Sequence, residues 1–187
     1  MSVEIHVPER KTYGRLLWTA ALVFILDQAS KFWISQRLPF GTYRPEESIT
    51  LIPDFFYLVH IGNRGAAWGI LEGQGVLLSI AALAALAAIY CFRNSLQLYR
   101  HSLQWIFGLL IGGILGNLLD RLLHGHVIDF FDLHFPFSIP FILEGGRYPA
   151  FNIADSGIVI GVGAYLVLSF FEKEPDELQR HPPPAAR

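Results

Sequence analysis

Two carboxylates, Asp129 and Asp155, are the residues whose surroundings best suit chemistry. Asp129 lies among apolar residues in "GHVIDFFDL", and Asp155 lies in "FNIADSGIVIG", where the last long apolar stretch begins. Two carboxyl groups in contact in a partly dry site cannot both ionise easily, so one pKa rises and the pair shares a proton. One acid can then activate a water while the other protonates a carbonyl oxygen or a leaving nitrogen. This pattern favours hydrolysis without a metal or another cofactor.

Three alternatives compete with this interpretation. The first is a metal site, because His-x-His places two imidazoles on one side of a strand; its candidate ligands are His124, His126, Asp129 and Asp132. The second is a proton or ion pathway formed by the acids. The clustering of the acids at one face, described below, argues against such a pathway. The third is a membrane scaffold held together by buried ion pairs, without catalysis.

Composition indicates a multi-span membrane protein. The chain of 187 residues has a mean hydropathy of +0.40 and only 16% charged residues, a balance unlike that of a soluble domain. We therefore expect a single integral membrane domain over residues 1–187, associated with membrane lipids. The net charge of -2 gives no field that would attract nucleic acid. A single cysteine, Cys91, excludes an intramolecular disulfide framework.

Four stretches are long and apolar enough to suggest membrane-spanning helices. They are predicted at residues 16–34, 76–92, 103–123 and 153–171. Basic residues flank the predicted cytoplasmic ends: Arg10, Lys11, Arg15, Arg93, Arg100, Lys173 and Arg180. The positive-inside rule therefore predicts that both termini are cytoplasmic. The polar ends, residues 1–12 and 174–187, are predicted to be cytoplasmic tails.

The two long connections are then predicted to lie outside. The first contains "SITLIPDFFYLVHIGN", whose β-branched and aromatic residues predict a strand pair at the membrane surface. The second, residues 124–152, mixes alternating apolar residues with prolines and a glycine pair, which predicts an extended and partly β flap. Within the third predicted span, Gly108, Gly112 and Gly116 recur every four residues, the spacing that lets membrane helices approach closely.

The remaining polar residues fall in the same outer layer as the two acids. Asp27 and Lys31 are spaced i and i+4 with the acid first, which favours an ion pair on one helix. One face of the third predicted span carries Asn117, Asp120 and Arg121, and two further side chains, Asn63 and Asn152, lie near span ends. A charge in a membrane helix costs on the order of 3 kcal/mol, so such groups often mark function. Asn152 is also a suitable N-cap for the helix that begins with Asp155.

Four sequence blocks together resemble the lipoprotein signal peptidase family, also called signal peptidase II. They are "DQASK" (27–31), "NRGAAWG" (63–69), "GGILGNLLDRLLHGHVIDF" (112–130) and "FNIADS" (151–156). The resemblance implies a mainly α membrane protein of four transmembrane helices with a small periplasmic β-cradle and a flap. It also implies an aspartic endopeptidase of the bacterial inner membrane. Its substrate would be a prolipoprotein whose lipobox cysteine carries diacylglycerol, cut on the amino side of that cysteine.

The resemblance also assigns roles to residues. It makes Asp129 and Asp155 the catalytic pair and requires no metal or cofactor. Residues that would build, support or brace the site are Asn63, Asn117, Asp120, Arg121, Asn152, Asp27 and Lys31. The segment 131–150 is longer than the connection usual in the family, which concerns the shape of the flap. We expect the active site at the periplasmic face and the protein to be a monomer.

Overall fold

The computed structural model describes residues 12–143 and 145–171. Four α-helices run α1 (Gly14–Arg37), α2 (Gly75–Cys91), α3 (His101–His124) and α4 (Ile153–Phe171). Each predicted span corresponds to one helix, with ends that agree to within three residues. The predicted tails, apart from residue 12, lie outside the described residues, and so do Arg10, Lys11, Lys173 and Arg180.

Membrane character is strongest in the last two helices. Within the described part of the chain, α3 and α4 are the two helices long and apolar enough to cross a membrane. Helix α2 is apolar but has only 17 residues, and α1 carries two buried charged residues, Asp27 and Lys31. A crossing by α1 and α2 therefore stays a prediction. Large apolar side chains are exposed on all four helices, as a lipid-facing surface would require.

Glycines allow α3 to pack closely between α1 and α4. A Cβ added at Gly112 would lie 2.6 Å from the Ala20 carbonyl oxygen of α1, and one added at Gly113 would lie 2.4 Å from the Ala154 carbonyl oxygen of α4. Neither position has room for a larger residue. The predicted close approach of helices at the small residues is confirmed.

Two of the segments that connect the helices form a three-stranded antiparallel sheet. Strands β1 (Ile49–Ile52), β2 (Phe56–Asn63) and β3 (Val127–Leu133) are ordered β1-β2-β3. The strand pair predicted in the first long connection is thus confirmed as β1 and β2. The partly β character predicted for the second connection is confirmed by β3, which pairs with β2 so that Asp129 lies opposite Ile61.

Two loops extend from this sheet. The cover segment, residues 64–74, follows β2 and contains a short 3-10 turn, Ala67–Gly69. Its ends are joined by a hydrogen bond from the Gly73 N–H to the Arg64 carbonyl, 3.2 Å. The distal loop, residues 134–143 and 145–147, follows β3, and its base is closed by a bridge between His134 and Arg147. Both loops line the cavity described next.

Candidate active site

Strand β3 and the start of α4 bring Asp129 and Asp155 to one cavity. After α3 the chain reverses at Gly125, whose φ of 73° is readily adopted by glycine. Asp129 then lies on β3, while Phe151 pairs with Phe131 of the same strand through two backbone hydrogen bonds, Phe131 N–H to Phe151 O, 2.8 Å, and Phe151 N–H to Phe131 O, 3.0 Å. Helix α4 therefore begins beside β3, with Asp155 in its first turn.

Asn152 contacts both carboxyl groups. Its side-chain oxygen accepts the Asp155 N–H at 2.9 Å, and its own N–H donates to Asp155 Oδ2 at 3.1 Å. This reciprocal pair is the capping-box arrangement, so the predicted N-cap role of Asn152 is confirmed. The Asn152 amide nitrogen Nδ2 also donates to Asp129 Oδ1 at 2.8 Å. One asparagine thus caps the start of α4 and is hydrogen-bonded to both acids.

Two further asparagines complete the hydrogen bonding of the acids. Asn63 Nδ2 donates to Asp129 Oδ2 at 3.0 Å, and Asn117 Nδ2 donates to Asp155 Oδ1 at 2.7 Å. Asp129 is only 2% exposed. Burial, and then repulsion from the Asp155 carboxylate, raises the pKa of Asp129 to about 8. Burial and the second carboxyl group thus both favour a proton at this pair.

A buried charge network lies behind the two acids. Lys31 Nζ lies 2.8 Å from Asp27 Oδ2 and 2.8 Å from Asp120 Oδ2, which confirms the predicted Asp27–Lys31 pair. Asp27 Oδ1 accepts the N–H of Ala154, and Asp120 Oδ2 accepts the N–H of Ile128. The network therefore ties α1 and α3 to the start of α4 and to β3. These are the two elements that carry the acids.

Arg121 attaches the cover segment to α3. Its Nη2 donates to the Gly65 carbonyl at 3.0 Å, and its Nη1 donates to the Asn117 carbonyl at 3.4 Å. Asn63 contributes a second link, because its Oδ1 accepts the Gly65 N–H at 2.8 Å. The cover segment is thus bonded to a residue that also contacts Asp129.

The cavity is large and mostly apolar away from the acids. Its volume is about 1410 Å³, above the 300–1,000 Å³ usual for pockets that bind drug-sized ligands. One side extends along α4 to Val159 and Ile160, whose side chains are exposed on the outer surface of that helix. Phe141 and Ile142 of the distal loop form another part of the lining. A site of this shape can accept an extended peptide together with apolar chains.

The four residues of the metal alternative are not brought together. Asp129 and Asp132 are three residues apart on β3, so their side chains point to opposite faces. Asp132 pairs with Arg147 and with His134. Among residues 12–143 and 145–171, no three His, Cys, Asp or Glu side chains are grouped so that they could hold a metal ion.

Sequence reasoning missed two parts of this arrangement. Gln28 Nε2 donates to Asp27 Oδ2 and to Asp120 Oδ1, each at 3.1 Å, so it belongs to the buried network. The position of Gln28 inside "DQASK", next to Asp27, could have indicated that it belongs to the network. Arg147 is the second omission, and its ion pair with Asp132 has no short-range spacing that would have predicted it.

The chain is similar to known proteins in sequence and in structure. The family model for signal peptidase (SPase) II matches residues 19–171. A lipoprotein signal peptidase of Aeromonas hydrophila is 37% identical over 174 residues, which cover 91% of this chain and 96% of the relative. One from Nostoc punctiforme is 34% identical over 89% of this chain and 96% of the relative.

Solved structures show the same similarity. One, described as a bacterial membrane enzyme, superposes with a TM-score of 0.72 at 34% identity and covers 86% of this chain and 94% of its own. Another with the same description gives a TM-score of 0.69 at 32% identity, covering 90% of this chain and 100% of its own. The fold and the family match therefore agree over the residues that build the candidate site.

Proposed function

The chain belongs to the signal peptidase II family, and from that premise we propose that it is an aspartic endopeptidase that removes the signal peptide from diacylglyceryl-modified prolipoproteins. The family membership makes it a peptidase. The aspartic mechanism is supported by one observation above the others. Asp129 and Asp155 line a single cavity, and both are hydrogen-bonded to Asn152.

The two acids have different starting states in this mechanism. Asp129 carries the proton, in keeping with its burial and its pKa of about 8. Asp155 is the carboxylate, stabilised by the Asn117 amide, by the Asn152 N–H and by the N-terminus of α4. The pair as a whole holds one proton, as a water-activating dyad requires.

The reaction returns both acids to their starting states. Asp155 takes a proton from water as the water oxygen bonds to the scissile carbonyl carbon, and Asp129 gives its proton to the carbonyl oxygen. A tetrahedral diol results. Asp155 then protonates the leaving nitrogen as the carbon–nitrogen bond breaks, and Asp129 recovers a proton from a diol hydroxyl as the new carboxyl group forms.

The surrounding residues have supporting roles in this proposal. Asn63, Asn117 and Asn152 orient the carboxyl groups, and Asp27, Lys31 and Asp120 brace the elements behind them. Arg121 holds the cover segment near the site. The apolar side of the cavity along α4 suits the acyl chains of a lipid-modified cysteine. The proposed cut is on the amino side of that cysteine.

The same proposal includes location. We place the protein in the bacterial inner membrane as a single domain with four crossings, both termini in the cytoplasm and the site at the periplasmic face. It would act as a monomer, because both acids come from one chain and their hydrogen-bond partners do as well. Membrane lipids would cover the exposed apolar surfaces of the helices.

The test is cleavage of a diacylglyceryl-modified precursor by detergent-purified protein in the presence of a chelator. We expect the wild type to cut, and Asp129→Asn and Asp155→Asn each to fold but lose at least about a hundredfold in rate, the usual contribution of acid–base catalysis. Asp54→Asn is the matched control, since Asp54 is exposed in the β1–β2 turn. Loss of activity with the chelator would instead support the metal alternative. Near-normal cutting by either Asn variant would show that the assignment of Asp129 and Asp155 as the catalytic pair is wrong, whereas a wild type that does not cut would support the non-catalytic scaffold.

A further inference from the structure

An ion pair outside the proposed mechanism lies on the other face of β3. Arg147 Nε donates to Asp132 Oδ1 at 2.8 Å, and Nη2 donates to Asp132 Oδ2 at 2.5 Å. Arg147 also donates to the Tyr43 carbonyl at 2.9 Å, and its guanidinium carbon lies 3.3 Å from the centroid of the Tyr43 ring. Asp132 is 1% exposed. A buried carboxylate with two parallel bonds from arginine holds that side chain in one geometry.

This pair fixes the base of the distal loop. Arg147 is bridged to His134 across the loop, and the Phe135 N–H donates to the Gly146 carbonyl at 2.6 Å. Further along, Leu143 is buried and exchanges backbone hydrogen bonds with Ile139. The loop is therefore a compact unit whose orientation relative to β3 depends on Arg147.

The tip of the loop contacts the cover segment. The Trp68 indole N–H donates to the Ile142 carbonyl at 3.2 Å, and the Trp68 ring packs edge-on against Tyr148 at 5.9 Å. Next to this contact Phe141 is 87% exposed and lines the cavity. The cover segment and the distal loop thus meet and form one continuous wall.

We propose that Arg147 is a positioning residue for peptide cleavage, which holds the distal loop so that Phe141 and Ile142 form a substrate-binding wall of the cavity. The inference rests on the proposed function, since the occupant is the lipid-modified precursor. Arg147 also lines the cavity, but its donors Nε and Nη2 are directed to Asp132 and Tyr43, so it acts through the loop. The wall therefore sets how tightly the precursor binds, while the acids set the rate of bond cleavage.

The test separates these two quantities in purified protein with a lipid-modified precursor. For Arg147→Ala we expect KM to rise about tenfold while kcat changes less than about twofold, the pattern of lost uniform binding. Arg147→Lys, which keeps the charge but not the two parallel bonds, should give an intermediate KM. Arg44→Ala, at an exposed arginine on the same outer side, should leave both constants unchanged.

A second variant and a second measurement guard against simple misfolding. Trp68→Phe keeps an aromatic side chain, although a smaller one, and removes the indole N–H, so it should also raise KM several-fold. Hydrogen exchange should be faster in the distal loop of Arg147→Ala and unchanged in β1 and β2. An unchanged KM in Arg147→Ala and Trp68→Phe, or a fall in kcat alone, would overturn the inference. The inactivity of Asp129→Asn would still stand as evidence for the proposed function, so the two failures are distinguishable.

Discussion

Asp129 combines two environments that oppose each other. Its hydrogen bonds from Asn63 and Asn152 favour the charged form, while burial and the neighbouring Asp155 disfavour it. The second pair of effects is larger, so the pKa of Asp129 rises, in agreement with its proposed role as the acid that carries the proton. A single substitution of a neighbouring asparagine therefore changes the acid chemistry as well as the position of the group.

Activity should depend on pH in the direction set by this raised pKa. As pH rises through about 8, Asp129 loses its proton, and the pair can no longer protonate the carbonyl oxygen. We expect kcat/KM for the lipid-modified precursor to fall across that range, measured from pH 5 to 10. A rate that stays constant up to pH 10 would show that Asp129 is not the proton donor.

Stability should follow the same titration. Between the ordinary aspartate pKa of 3.8 and the folded value of about 8, the folded state binds the Asp129 proton more tightly than the unfolded state. The stabilising contribution of this proton to the free energy of unfolding is therefore complete below pH 3.8. It is lost as the pH rises to about 8. In Asp129→Asn this part of the pH dependence of thermal unfolding should disappear.

Residue types near the site could be predicted from sequence, but several of their partners could not. The i and i+4 spacing of Asp27 and Lys31 is visible along one helix. The ion pair between Lys31 and Asp120 joins two residues that lie 89 positions apart in the sequence. It depends on how α1 and α3 are rotated about their axes. The hydropathy and the spacing of residues in the sequence do not predict this rotation.

At the scale of elements, the contact between α3 and α4 positions Asp155. Gly113 contacts the backbone of Ala154, one residue before the acid, and leaves no space for a side chain. Asp155 then reaches Asn117 one turn farther along α3. The geometry of the dyad is thus set by a helix contact as well as by local hydrogen bonds.

Substitution of Gly113 should therefore affect both stability and cleavage. Gly113→Ala places a methyl group against the Ala154 carbonyl, so we expect a loss of about 1–3 kcal/mol in unfolding free energy, as in overpacked cores. The cleavage rate should fall as α4 shifts. Gly163→Ala is the matched control, because its added Cβ meets nothing within 4 Å. If the two variants behave alike in thermal unfolding and cleavage assays, close packing at Gly113 is unimportant.

Elements were more predictable from sequence than the contacts between them. The four helices follow from apolar runs of sufficient length, and β1 and β2 follow from β-branched and aromatic residues around Pro53. The distal loop was expected only as an extended flap. Its contact with Trp68 joins residues 74 positions apart through one indole and one backbone carbonyl. Periodic patterns in the sequence do not predict such a contact.

The whole molecule separates its polar and apolar surfaces. Acids, asparagines and both loops lie at one end of the helices, while exposed apolar side chains cover the helix surfaces. With the basic link between α2 and α3 at the opposite end, the positive-inside rule predicts that this opposite end is cytoplasmic.

Labelling of single cysteines should report that orientation. In a Cys91→Ala background, Phe141→Cys should react with a membrane-impermeant thiol reagent in spheroplasts, because Phe141 is exposed in the distal loop. Ser95→Cys, in the exposed link between α2 and α3, should react only after the membrane is permeabilised. The reverse pattern would contradict the proposed location of the site.

The Asp27–Lys31–Asp120 network has a consequence for biogenesis. Asp27 and Lys31 neutralise each other within α1, so under the proposed topology this pair enters the membrane without net charge. Within the network, the cation that pairs with Asp120 is Lys31, which α1 supplies. A ribosome delivers α1 first, so the counter-ion is already in place when the later helix arrives. Under the proposed topology, the order of synthesis matches the order in which these charges can be paired.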